Sequence, residues 1–124
     1  VFNNGNMERD FTYIDDIVQG VLSILFTPTT SLKNKKKDER VPHIYNIGYS
    51  HPVPLMAYIH EIEKNLGKKA LIQFMPLQPG DIPRSYADTQ KLQKDFHFIP
   101  QTPIQVGVAR FVSWYKKYYN INMA

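Results

Sequence analysis

Apolar residues recur at Ile14, Ile17, Val18, Val21, Leu22 and Leu25, the i, i+3, i+4 spacing of one buried helix face. Asp15 reads as the N-cap of that helix, Asp16 suits the positive end of its dipole, and Pro28 stops it. Leu55, Ile59, Ile62 and Leu66 predict a second helix, with Pro54 at its first position and Gly67 as its C′ residue. A last helix is predicted to bury Ile104, Val108, Phe111, Val112, Tyr115 and Tyr118, with Asn120 ending it. Thr102 and Gln105 have the spacing of a capping box there, with Pro103 between them at the first helical position. Trp114 and the neighbouring tyrosines read as packing, not as stacking platforms for bases. A shorter helix, capped by Asp88 or Thr89, runs through Leu92 to Phe96.

Residues 1–3, 43–48 and 70–75 read as short strands, 4–6 as an Asn-Gly-Asn turn and 11–14 as extended chain. The pattern is that of one α+β domain, helix-rich with short strands, with no internal repeat and no linker. Residues 29–40 are polar and lysine-rich without periodicity, the pattern of a surface loop. Residues 76–88 carry Pro76, Pro79 and Pro83, which rule out helix or central strand. Such a stiff loop lowers the ordering cost of presenting Gln78, Asp81 and Arg84 to a ligand; it is equally a plain connection. Arg9 stands at the start of the 11–14 stretch, where it is expected to face an anionic ligand.

Composition narrows the field. The chain has 124 residues, enough for one domain with a core, and opens on Val1, as a piece of a longer protein would. With no cysteine, disulfides, thiolate catalysis and cysteine zinc sites are excluded, which fits a cytoplasmic protein. No apolar run is long enough to cross a membrane. The net charge of +4 invites a nucleic-acid reading, but much of it sits in Lys33-Asn34-Lys35-Lys36-Lys37, a run better read as a solvated loop.

Much chemistry is absent. Gly5, Gly20, Gly48, Gly67, Gly80 and Gly107 are scattered, so there is neither a dinucleotide fingerprint nor a P-loop. His60-Glu61-Ile62-Glu63-Lys64 has lysine where a zinc helix needs its second histidine, and no metal site is expected. No tyrosine has a lysine four residues on, and no serine sits in an elbow motif. The chain therefore carries no complete catalytic set: it binds something or completes something.

Arg9-Asp10-Phe11-Thr12-Tyr13-Ile14-Asp15-Asp16-Ile17-Val18 resembles the extended short-chain dehydrogenase/reductase family of nucleotide-sugar epimerases. More narrowly, the chain resembles the C-terminal portion of bacterial UDP-glucuronate 4-epimerases. Tyr45-Asn46-Ile47-Gly48 with Pro52-Val53-Pro54-Leu55, Gln78-Pro79-Gly80-Asp81 with Tyr86-Ala87-Asp88, and Phe111-Val112-Ser113-Trp114-Tyr115 agree in order. The resemblance implies a substrate-binding domain detached from an N-terminal Rossmann domain that binds NAD. It also implies UDP-glucuronate to UDP-galacturonate epimerisation through a 4-keto intermediate. The catalytic residues would then lie ahead of Val1, and the piece alone would bind no NAD and be inactive.

By similarity Arg9 contacts the diphosphate and Asp81 the ribose end of a UDP-sugar. Galactose-type epimerases have a second arginine where this chain has Gln78, and Arg84 is the candidate replacement. Ser85 stands where relatives place a tyrosine beside the sugar, leaving room for a bulkier hexose. Without its partner domain the piece is expected to expose apolar helix faces and to self-associate. A related dehydratase, decarboxylase or N-acetylhexosamine epimerase, a stand-alone nucleotide-binding or interaction domain, and a small basic nucleic-acid binder are the other readings.

Overall fold

The computed structural model describes residues 1–28 and 43–121. In chain order, a 3-10 turn at Phe2–Gly5 precedes β1 (Glu8–Arg9) and α1 (Ile14–Phe26). Next come β2 (Val53–Pro54), α2 (Leu55–Leu66), β3 (Arg84–Ser85), α3 (Gln90–Phe96) and α4 (Ile104–Tyr118). The α+β class stands. The expected lysine-rich loop at 29–40 lies outside the described residues.

The sheet is small, with β1 between the other two strands in the order β2-β1-β3. β2 runs antiparallel to β1, pairing Glu8 with Pro54 and Arg9 with Val53. β3 runs parallel to β1, pairing Glu8 with Arg84 and Arg9 with Ser85. Prolines hold it to this size: Pro54 and Pro83 have no N–H to extend a ladder, so Pro83 takes part only through its carbonyl, which accepts the Glu8 N–H at 2.8 Å. The expected strands at 43–48 and 70–75 do not form. The first is irregular chain. The second is extended and exchanges backbone bonds with the N-terminal segment (Met75 N–H to Val1 O, 2.9 Å), too few to make a ladder. The chain start is a turn rather than a strand end, with Asn3 and Asn4 at φ +50 and +49, values asparagine tolerates better than most residues.

Helix starts differ from the expected caps in an instructive way. Tyr13, not Asp15, is the N-cap of α1, and both Asp15 and Asp16 fall in its first turn. Asp16 instead reaches across to the approach of α4, accepting the Thr102 N–H at 2.8 Å and the Thr102 hydroxyl at 3.1 Å. Thr102 is thereby spent on Asp16, so the capping box does not form and Pro103 is the N-cap of α4. Thr89 is the N-cap of α3, though its hydroxyl makes no cap bond there; the carboxylate of Asp88 accepts the Gln90 N–H at 3.0 Å. The second helix ends as expected, with Gly67 left-handed at φ +70.

The core is Met7, Leu92, Ile104, Val108 and Val112, where β1's approach, α3 and α4 meet. Ile104, Val108 and Val112 are the expected inner face of α4, but Phe111, Tyr115 and Tyr118 are exposed, as is Trp114. They stack on one another along the outside, Trp114 on Tyr118 at 5.3 Å between ring centroids. On α1 the expected buried stripe is also open: Val21 is 50% and Leu25 68% exposed. Among the described residues no surface covers that stripe. α1 approaches the rest of the chain instead through Gly20, where an added Cβ would lie 3.1 Å from Ile47 and from Phe98.

Candidate functional site

The site grows out of the middle strand. Arg9 lies in β1 with Ser85 opposite it in β3. Its guanidinium is held at three points: Nη1 donates to the carbonyls of Glu8 (2.9 Å) and Pro83 (3.2 Å), and Nη2 donates to Asp81 Oδ1 at 2.8 Å. Arginine's rigid fork suits such an arrangement; a single ammonium could not reach all these acceptors in the same directions. With three of five N–H groups engaged, the remaining donors are left for a ligand.

The proline loop delivers Asp81. The Asp81 N–H donates to Gln78 O at 3.1 Å, closing a turn with Pro79 and Gly80 at its corners. Gly80 has φ +84, so this is a type II turn, in which proline presets the first corner and glycine supplies the second. Asp81 Oδ1 also accepts the Ile82 N–H at 2.8 Å, which fixes the carboxylate facing Arg9. Gln78 is exposed, and among the described residues its side chain makes no hydrogen bond.

Arg84 is placed differently. It pairs with Glu8 in the β1–β3 register, and its Nε lies 2.9 Å from Glu8 Oε2. Successive strand residues point to opposite faces, so Glu8 and Arg84 share one face while Arg9 and Ser85 share the other. Both arginines therefore carry a carboxylate partner, and the four charges sum to zero. A diphosphate approaching Arg9 meets a guanidinium that is preorganised but already neutralised, with a side chain 26% exposed.

Four residues beside the site escaped the sequence reading. Asp10 Oδ2 accepts the N–H groups of Ser50 (2.9 Å) and Ala87 (3.1 Å), and Thr12 Oγ1 accepts that of Tyr49 (3.2 Å). Gly48 lies against Asp10 and Ala87, and Ser50 has φ +60. Asp10, Thr12 and Gly48 stand inside the motifs that carry the resemblance, but their place there says nothing about which amides the Asp10 carboxylate meets.

An apolar cavity of about 220 Å³ lies elsewhere, lined by Tyr13, Tyr58, Pro103, Val108 and Phe111 among others, and takes in none of the expected site residues. The described helices start at Tyr13, Pro54, Thr89 and Pro103, with no glycine-rich turn ahead of them. A dinucleotide pyrophosphate has no cradle of that kind here. Among the described residues no group of histidines and acids could hold a metal, and no helix is long and apolar enough to cross a membrane.

No protein-family model matches the chain. It is 44% identical over 126 residues to Protein CapI of Staphylococcus aureus, covering 96% of this chain and 38% of that protein. To the probable UDP-glucuronate 4-epimerase of Rhizobium meliloti it is 34% identical over 128 residues, covering 96% of this chain and 37% of the relative. It superposes on the Bacillus cereus UDP-glucuronic acid 4-epimerase, solved with UDP-glucuronic acid and NAD, with a TM-score of 0.76 at 28% identity. That match covers 96% of this chain and 35% of the other. The chain is homologous to the C-terminal part of UDP-glucuronate 4-epimerases. These epimerases are short-chain dehydrogenase/reductase proteins, and the chain spans little more than a third of the length of those just named. The Thermotoga maritima UDP-glucose 4-epimerase, at 19% identity and a TM-score of 0.76, shares the fold of this epimerase segment.

Proposed function

We propose that the chain is the substrate-holding part of an NAD-dependent UDP-glucuronate 4-epimerase, converting UDP-glucuronate to UDP-galacturonate. The near-complete match of the chain to the C-terminal part of such enzymes carries the reading. NAD would supply the hydride acceptor, bound by a Rossmann domain in the part of the relatives that this chain does not span. Catalytic residues would lie there too. The absence of cysteine accords with a cytoplasmic setting.

In this reading Arg9 donates to the diphosphate and Asp81 serves the ribose end of the nucleotide. Because Asp81 also clasps Arg9, ligand entry would share or exchange that ion pair. Arg84 can add charge only by releasing Glu8 from the far face. Gln78 contributes the carbonyl that closes the turn, and Ser85, small and beside Arg9, leaves space where the sugar begins. Anchoring by the nucleotide leaves the hexose free to present either face, which a reaction that returns hydride to the opposite face requires.

The test is turnover by the intact protein with NAD and UDP-glucuronate, read by proton NMR of the sugar. Accumulation of UDP-galacturonate is expected, with none formed by the 124-residue chain alone. A decarboxylated or dehydrated product, or no product with a folded NAD-bound protein, would refute the assignment.

A further inference from the structure

On the face of the extended chain opposite Arg9, Asp10 joins two segments that are far apart in sequence. Its Oδ2 accepts the amides of Ser50 and Ala87 at 2.9 and 3.1 Å, while Oδ1 is buried and meets no donor among the described residues. Around this carboxylate the 46–50 and 86–89 segments are stitched to each other. Ser50 Oγ donates its one proton to Ala87 O at 2.8 Å and accepts from Thr89 Oγ1 at 2.9 Å, and Asn46 Nδ2 donates to Asp88 O at 3.2 Å. Ser50 takes a left-handed φ of +60 to do so, a conformation a serine holds only when its surroundings impose it. Gly48 leaves the space: a Cβ there would stand 2.8 Å from Asp10 Oδ2.

Residues 86–89 follow directly from β3, and residues 81–83 lead into it. Pro83 O and Asp81 Oδ1 are two of the acceptors that hold Arg9. The β1–β3 pairing and the Glu8 N–H to Pro83 O bond hold that segment at one end, and what fixes Ala87 next to β1 braces it at the other. We propose that Asp10 is the positioning residue of the Arg9 site, setting the 81–87 segment against β1 so that the Arg9 fork points at the diphosphate. This deepens the nucleotide reading of Arg9 and rests on it.

The experiment is calorimetric titration of UDP into the intact protein and its variants. Asp10→Ala is expected to weaken UDP about tenfold, the effect of losing one good charge-assisted bond's worth of positioning. Both amides meet the same oxygen, so Asp10→Asn can present an acceptor in the same place and is expected to stay within about threefold of wild type. Unchanged affinity in Asp10→Ala, or equal losses in Asp10→Ala and Asp10→Asn, would overturn the proposal. If Asp10→Ala does not fold, Ser50→Ala is read instead. It removes the hydroxyl links between the two segments and keeps Asp10, and about threefold weaker binding is expected, with no change overturning the proposal. Arg9→Ala separates the two claims. If it binds UDP as wild type does, the nucleotide reading fails, and the NMR signal of the Arg9 Nε–H then decides: a shift in Asp10→Ala or Ser50→Ala upholds the positioning role, and a signal unmoved in both ends it.

Discussion

Gly48→Ala puts a methyl group where three segments meet. Its Cβ would lie 2.5 Å from Ala87 Cβ and 2.8 Å from Asp10 Oδ2. Neither neighbour is the loose end of a long side chain: the first is fixed to the backbone and the second is held by two amides. Carbon atoms in ordinary contact stand roughly 3.5–4.0 Å apart, so the 86–88 segment must retreat by about 1 Å. The Ala87 N–H to Asp10 bond, now 3.1 Å, then passes out of hydrogen-bond range. Overpacking costs about 1–3 kcal/mol and the lost bond to a charged group about 1.5 kcal/mol, the lower end because Asp10 is only half-buried. The sum is about 2.5–4.5 kcal/mol, which at about 4 °C per kcal/mol lowers the melting temperature by about 10–18 °C. Thermal unfolding followed by circular dichroism measures it. The double variant Gly48→Ala/Ala87→Gly removes the nearer clash but leaves the added methyl 2.8 Å from Asp10 Oδ2, so it is expected to restore the Ala87–Asp10 bond and part of the overpacking loss, less about 1 kcal/mol for the added glycine. A loss below about 0.5 kcal/mol in the single variant, or no recovery in the double, would refute the packing argument.

Arg9→Lys keeps the charge but offers one nitrogen where the structure uses two; UDP affinity in the intact protein is expected to fall at least about tenfold by calorimetry, and an unchanged value would remove Arg9 from the site. Glu63 accepts the Ala70 N–H at 2.8 Å and a Lys69 ammonium hydrogen at 2.9 Å. These, the backbone bond first, hold its carboxyl below the usual range, so its stabilising contribution is present above pH 4.5 and lost as pH falls through the lowered value. Glu63→Gln should accordingly flatten the acid side of a melting-temperature profile, and a profile that still falls as in wild type would dismiss the link. The open face of α1 should make the 124-residue chain self-associate in sedimentation velocity runs, and Val21→Lys with Leu25→Glu should return it to a monomer. A wild-type chain that stays monomeric as concentration rises would contradict this.

Periodicity located the three long helices well, because a repeat of apolar positions needs no knowledge of what covers it. It mistook coverage on α1 and α4: Val21 and Tyr118 have the spacing of buried residues but no surface among the described residues buries them. Cap residues misled for a related reason. Thr102 had the local chemistry of a capping box, yet Asp16, distant in sequence, offered it a charged acceptor, and no local rule contains that competitor. Arg9 and Asp81 were legible as a pair of candidates, and the Pro79-Gly80 turn that delivers Asp81 follows from the turn chemistry of those two residues. Arg84 was legible only as a charge. Its direction is set by β-register, and β1 and β3 are each too short to announce a register in sequence. Asp10 remained hidden because its partners come from residues 50 and 87.

The proposed role of Arg9 is to meet a diphosphate. The most direct measurement is a crystal structure of the intact protein with UDP-glucuronate bound. The expected result is Arg9 N–H groups about 2.7–2.9 Å from diphosphate oxygens, with the Asp81 clasp shared or released. Arg9 still closed on Asp81, Glu8 O and Pro83 O, with the diphosphate held elsewhere, would contradict it.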